Sequence, residues 1–114
     1  MVSCRTSGAL FSGGGNQLVF SGRCKLMSVH LFNQTEAHAT NTPGNGAGVL
    51  AVTLYDNTAA SGTVLGKFMV NACSSLEMDF HGAQCHNGLF VTFDTDPHGS
   101  GGTSAVGGIT VNFH

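Results

Sequence analysis

Seven short runs of apolar and β-branched residues, each closed within about ten residues by Gly, Asn, Pro or Ser, leave this chain no room for an ordinary helix. No window carries an apolar stripe at a spacing of about 3.6 residues, because small and polar residues interrupt it. The runs cover residues 18–20, 25–33, 49–55, 64–70, 76–80, 89–93 and 107–113. In residues 25–33, Met27, Val29 and Leu31 share one wholly apolar face, expected in the core, while Leu26, Ser28, His30 and Phe32 take the other. The run 49–55 is the strongest strand, with Leu50, Val52 and Leu54 on a common face.

Turn chemistry fills the gaps between these runs. Thr42-Pro43-Gly44-Asn45 suits a type II turn and Asp96-Pro97-His98-Gly99 a type I turn. Strands at this spacing predict an all-β fold: an antiparallel β-sandwich or jelly-roll-like barrel of about seven to eight short strands. A parallel sheet would need crossover helices, for which there is no length. Residues 1–15, ending in Ser12-Gly13-Gly14-Gly15, read as a flexible Gly-rich amino-terminal arm, and residues 16–114 as one β-sandwich domain. Residues 100–104 read as an exposed loop.

Composition then narrows the function. Charged residues are only 9% of the 114, against about 25% in an average domain, and Gly reaches 17. So little charge keeps a large free surface poorly hydrated and weakly self-repelling, so part of it is expected to be covered by a partner. Arg5, Arg23, Lys25 and Lys67 form no run and the net charge is -2, which argues against nucleic acid, a partner that needs clustered cations. The start lacks the apolar stretch of a secretory signal, and no stretch approaches the ~20 residues of a bilayer span. Synthesis in a cytoplasm without membrane association is the expectation.

Under the compartment rule Cys4, Cys24, Cys73 and Cys85 are expected reduced and partly buried, with a pair such as Cys4 and Cys24 open to oxidation outside a reducing cell. Asp79, His81, Cys85 and His86, with Cys73 upstream, are the only dense group of possible metal ligands. They lack the C-x-x-C or H-x-x-x-H spacing that converges donors on zinc, so surface-loop histidines beside a half-buried thiol are expected. Asp56, Asn57, Asp94 and Asp96 offer oxygens for Ca²⁺, but Asp beside a turn more simply caps local backbone. No nucleophile-elbow sequence frames a Ser, and Gly13-Gly14-Gly15 lacks the Lys and Ser/Thr of a phosphate loop. Neither an enzyme nor a cofactor is expected. With Tyr55 the sole amphipathic ring and no Trp, a sugar platform has little material, and Phe90, Phe93 and Phe113 read as core or interface filling.

Residues 52–65, Val-Thr-Leu-Tyr-Asp-Asn-Thr-Ala-Ala-Ser-Gly-Thr-Val-Leu, resemble a strand-loop-strand signature of small tailed-bacteriophage virion structural proteins. The resemblance is densest at Leu54-Tyr55-Asp56 and Ser61-Gly62. It extends over residues 26–112 through the runs at 26–33, 88–92 and 108–112. It implies a virion component: a capsid decoration (cement) protein, or a small tail or baseplate subunit. With the low charge, the sandwich pattern and the amino-terminal arm, the leading expectation is a decoration protein on the outer capsid surface, bound to the major capsid protein and itself a homo-oligomer, a trimer. The alternative is a tail- or fibre-associated receptor- or glycan-binding module, with recognition in loops 34–48 and 95–104. Such proteins have no catalytic residues to carry over. The insertion-like stretch 34–48 departs from the pattern and leaves the partner open. On this reading Asp56, Ser61 and Gly62 are structural turn residues, Asp56 accepting hydrogen bonds from its own loop. Arg5, Leu10, Phe11, Val111 and Phe113 are the expected partner-interface residues, on the arm and the last strand.

Overall fold

A computed structural model describes residues 3–6, 11–12, 15–35, 49–94 and 106–114, with side chains described in 16–35, 49–94 and 106–114. Among the described residues, alternating apolar residues and frequent turn signals produce nine strands: β1 Ser3–Thr6, β2 Phe11–Ser12, β3 Gly15–Ser21, β4 Cys24–Asn33, β5 Leu50–Asp56, β6 Thr63–Val70, β7 Ser74–Cys85, β8 Gly88–Asp94 and β9 Val106–Phe113. No helix occurs among the described residues. Of the stretch expected to be an arm, Ser3–Thr6 and Phe11–Ser12 run along β9, so those residues belong to a sheet edge. The expected turns at 42–45 and 96–99 and the loop at 100–104 lie outside the described residues.

One sheet has the order β1-β9-β4-β7, with β2 also on β9, and the other the order β3-β8-β5-β6. Every pairing is antiparallel. The pairs nest: β5 with β6, β4 with β7, β3 with β8, β1 with β9. That is a long hairpin rolled into two packed sheets, the jelly-roll arrangement within the expected sandwich class. Among the described residues β5–β6 is the one pair of consecutive strands that are neighbours in a sheet.

The core lies between the sheets. Leu26, Val29 and Leu31 of β4 meet Leu50, Val52 and Leu54 of β5, Leu89 and Val91 of β8, and Ile109 and Val111 of β9, all buried. Each such side chain contributes roughly 2 kcal/mol of burial. The face assigned to β5 is the one observed. On β4 the alternation is corrected: Leu26 is fully buried and Met27 only half-buried. The register with β7 shifts between Leu26 and Ser28, from Leu26↔Ala83 to Ser28↔Asp79, so Met27 alone opposes residues 80–82. His81 and Gly82 take positive φ of 53° and 78° there, and the Asp79 carboxylate accepts the His81 N–H at 2.7 Å. This bulge resets the inward face by one residue.

Side-chain clamps hold the corners where the chain changes sheet. At one end Asn33 donates to Val70 O at 2.9 Å, while Thr35 accepts Val106 N–H through its hydroxyl at 2.7 Å and Cys73 N–H through its carbonyl at 3.0 Å. At the other end the short β7–β8 link, His86 and Asn87, is gripped from β5, as described below. The cysteine pair expected to be oxidisable is corrected as well. Cys4 stands opposite Asn112 on β9, whereas Cys24 stands opposite Cys85 on β7.

Candidate assembly interface

Strand register turns the sequence of the second sheet into rows of neighbours. On its outward face Leu18 of β3 pairs with Phe90 of β8, Phe90 with Tyr55 of β5, and Tyr55 with Val64 of β6. Cross-strand neighbours stand ~4.8 Å apart, so this apolar row crosses the whole sheet over roughly 14 Å. The next row is polar: Asn16, Thr92, Thr53 and Lys67. Beyond it lie Asp94, Ala51 and Met69, and a depression of about 250 Å³ is shared between these two rows.

Burial decides which face matters. Among the described residues the large apolar side chains most open to solvent are Val64 at 52%, Met69 at 50%, Leu18 at 44% and Leu76 at 36%. Three of them belong to this face. A few scattered apolar side chains are ordinary on a surface, whereas a contiguous row flanked by polar residues makes this face the candidate contact surface. The outward face of the other sheet differs, with Asn112 hydrogen-bonded to Ser28 at 2.8 Å and His30 flanked by Thr110 and Glu77. Leu76 faces inward at the open side between β6 and β7, beside half-buried Met78.

The residues expected to form the interface fare differently. Val111 is fully buried in the core, so its side chain cannot reach a partner; it sits on the inward face of central strand β9. Phe113 is half-buried and stacks on Phe20 at 4.7 Å between centroids, joining the two sheets. Arg5 and Phe11 pair through their backbone with Val111 and Gly107, and Leu10 lies outside the described residues. Sequence reading had no way to assemble the Leu18-Phe90-Tyr55-Val64 row, because its members are neighbours only through register.

No protein-family model matches the chain, and no curated protein does.

The turn residues are corrected in one respect. The loop after β5 is closed by Asn57, which donates to Ser61 O at 3.0 Å and accepts Thr58 N–H at 2.8 Å. Gly62, at φ +84°, makes the return as expected. Asp56 instead reaches 30 or more residues along the chain. Its buried carboxylate accepts the N–H groups of His86 at 3.0 Å, Asn87 at 2.8 Å and Gly88 at 3.3 Å. Charge explains the choice: three convergent N–H donors suit an anion better than a neutral loop partner.

Burial alone pushes the Asp56 carboxyl up, but the N–H groups of His86, Asn87 and Gly88, together with the nearby His86 ring, outweigh it and hold the group below the ordinary carboxylate range. A carboxyl with a lowered folded-state pKa stabilises the fold above its unfolded pKa, about 3.9, and that contribution is lost as pH falls through the folded value. Urea unfolding should therefore show this contribution intact at neutral pH and eroding below about pH 4. Asp56→Asn should lose less on going from pH 7 to pH 3 than the unchanged protein; equal losses would remove Asp56 from the acid response.

The candidate metal ligands do not converge. Cys85 is buried in the core, whereas Asp79 and His81 sit exposed on the β7 bulge, 3.5 Å apart. Cys73 lies at the far end of β7, its thiol on Thr35 O. Among the described residues no three His, Cys, Asp or Glu side chains gather as a cation site. Of the proposed calcium oxygens, Asp56 serves the backbone clamp and Asp96 lies outside the described residues.

Proposed function

We propose that this protein is a non-enzymatic virion subunit, a capsid decoration protein that lies on the outer capsid surface and bridges neighbouring units of the major capsid protein. The single observation that carries an assembly role is the apolar row Leu18-Phe90-Tyr55-Val64, exposed at its two ends and half-buried between, on a chain with only 9% charged residues. The resemblance of residues 52–65 to tailed-phage structural proteins is what directs that role to a virion.

Size supports repetition. Four strands of seven or eight residues make a face of roughly 14 by 23 Å, on the order of 300 Å². A stable standard interface takes ~800 Å² from each partner, so one copy of this face binds weakly. Several copies around one axis convert weak contacts into firm attachment, which favours a homo-oligomer, a trimer in our reading. Bridging then adds buried area across joints between capsid units.

The test uses side chains that the fold does not need. Leu18→Asp combined with Val64→Asp places charge on the row at its two most exposed points. Occupancy on capsids, counted by electron microscopy of particles mixed with the purified protein, should drop at least about tenfold, roughly 1.4 kcal/mol or more of lost contact. Unfolding midpoints should stay near those of the unchanged protein. Full occupancy by the double variant would refute the proposed docking face.

A second reading has its own support. Tyr55 and Phe90 lie beside Thr53 and Thr92, and rings flanked by hydroxyls are the material of a sugar site. Specific signals on a glycan array, with no capsid binding, would favour a receptor- or glycan-binding module of a tail or fibre.

A further inference from the structure

The fold brings together two thiols 61 residues apart in sequence. Cys24, first residue of β4, stands directly opposite Cys85, last residue of β7. Both side chains are buried in the same core cluster, close enough that each thiol influences the ionisation of the other. Facing residues of an antiparallel pair have Cα atoms about 4.5 to 5.5 Å apart, inside the usual range for a disulfide. No other cysteine competes within one folded chain. Cys73 is at the opposite end of β7, roughly 35 Å away along a strand of this length, and Cys4 sits beyond β9.

Cys24 is the more accessible of the two, 9% exposed against 0% for Cys85. Cys24 forms part of the wall of a surface depression of about 270 Å³, together with Arg23, Lys25, Gln84 and His114. Cys85 lies behind it, fully buried.

We propose that Cys24 and Cys85 are a built disulfide site, which a small-molecule disulfide such as oxidised glutathione closes through Cys24. The Cys24 thiolate attacks one sulfur of the oxidant, forming a mixed disulfide and releasing one glutathione thiolate, which takes up a proton. The Cys85 thiol then gives up its proton, attacks the Cys24 sulfur and expels the second glutathione. Two protein thiols are oxidised to one disulfide, one glutathione disulfide is reduced to two thiols, and the two protons end on the glutathione. This site is independent of the virion reading.

Burial sets the rate. It pushes both thiols up, Cys85 to about 12, so the attacking thiolate is scarce at neutral pH. Closure is slow there and speeds up about tenfold for each pH unit toward 9, as the thiolate fraction rises. A protein made under reducing conditions keeps the pair open and closes it on longer exposure to an oxidant.

The experiment incubates the full chain with oxidised glutathione under native conditions at pH 7, 8 and 9, then quenches with acid and an alkylating reagent. Mass spectrometry of peptic peptides should show one species, lighter by about 2 Da and joining the Cys24 and Cys85 peptides, with Cys73 still alkylated. The oxidised protein should unfold at higher urea concentration than the reduced one. Cys73→Ser should keep that shift and Cys85→Ala should abolish it. Cys24 and Cys85 still alkylatable at pH 9, a stable glutathione adduct on Cys24, or bridges to Cys73 or Cys4 would each overturn the proposal. Since the unchanged protein supplies the primary readout, poor folding of a variant does not shield it.

Discussion

Asp56→Ala should lower folding stability by on the order of 3 kcal/mol, measured as the shift in urea unfolding at neutral pH with an unchanged slope. The substitution removes a charged acceptor from three N–H donors at once, those of His86, Asn87 and Gly88. Each charge-assisted bond is worth about 1.5 to 3 kcal/mol, and a buried donor left unpaired adds its own penalty. Water reaches His86 and Asn87, both exposed, so part of the loss is recovered and the sum falls below three full bonds. Gly88 is buried and recovers nothing. These donors form the link by which the chain leaves β7 for β8 in the other sheet, and Asn87 O also accepts Gly22 N–H from the β3–β4 corner. One carboxylate thus holds two crossings. A loss under about 1 kcal/mol would mean that water replaces the clamp.

Gly107→Ala should be comparably damaging, by about 3 kcal/mol, at the upper end of overpacking costs. A Cβ at Gly107 would collide with the Phe32 carbonyl oxygen and stand 2.7 Å from Leu50 Cδ2. The first of these is backbone in the neighbouring strand β4, so no rotamer change relieves it. Strand β9 must then move away from β4 or from the core beneath. Thermal or urea unfolding of the variant checks this, and stability within about 0.5 kcal/mol of the original would show that β9 shifts without penalty.

Much of this fold was legible in the sequence, for a physical reason. Side chains alternate across a strand, so runs such as 49–55 announce both their conformation and their inward face, and Leu50, Val52 and Leu54 are buried as read. What alternation cannot carry is an irregularity. The bulge opposite Met27 rests on a left-handed His81 backbone held by Asp79, and nothing in residues 25–33 signals it. Nor can local pattern say which strands meet. The partners of Asp56, Cys24 and Tyr55 lie 30 to 61 residues away or on separate strands, and they become neighbours only when the hairpin rolls. Val111 illustrates the error that follows: a residue near the end of the chain reads as peripheral, yet its strand is central in its sheet.

The nested pairing has a consequence for the order of events in folding. Among the described strands only β5 and β6 can zip across a short loop; the other pairings of the nest bridge progressively longer spans, ending with Ser3 against Phe113. Closing the inner span shortens the effective loop for the next, so the order of assembly expected from loop-closure entropy runs from the middle of the chain outward, and a topology so rich in distant pairings is expected to fold over milliseconds to seconds. Until β9 and β1 arrive last, β4 lacks a neighbour on one side, and the newly made chain is at its most vulnerable to pairing with another copy of itself.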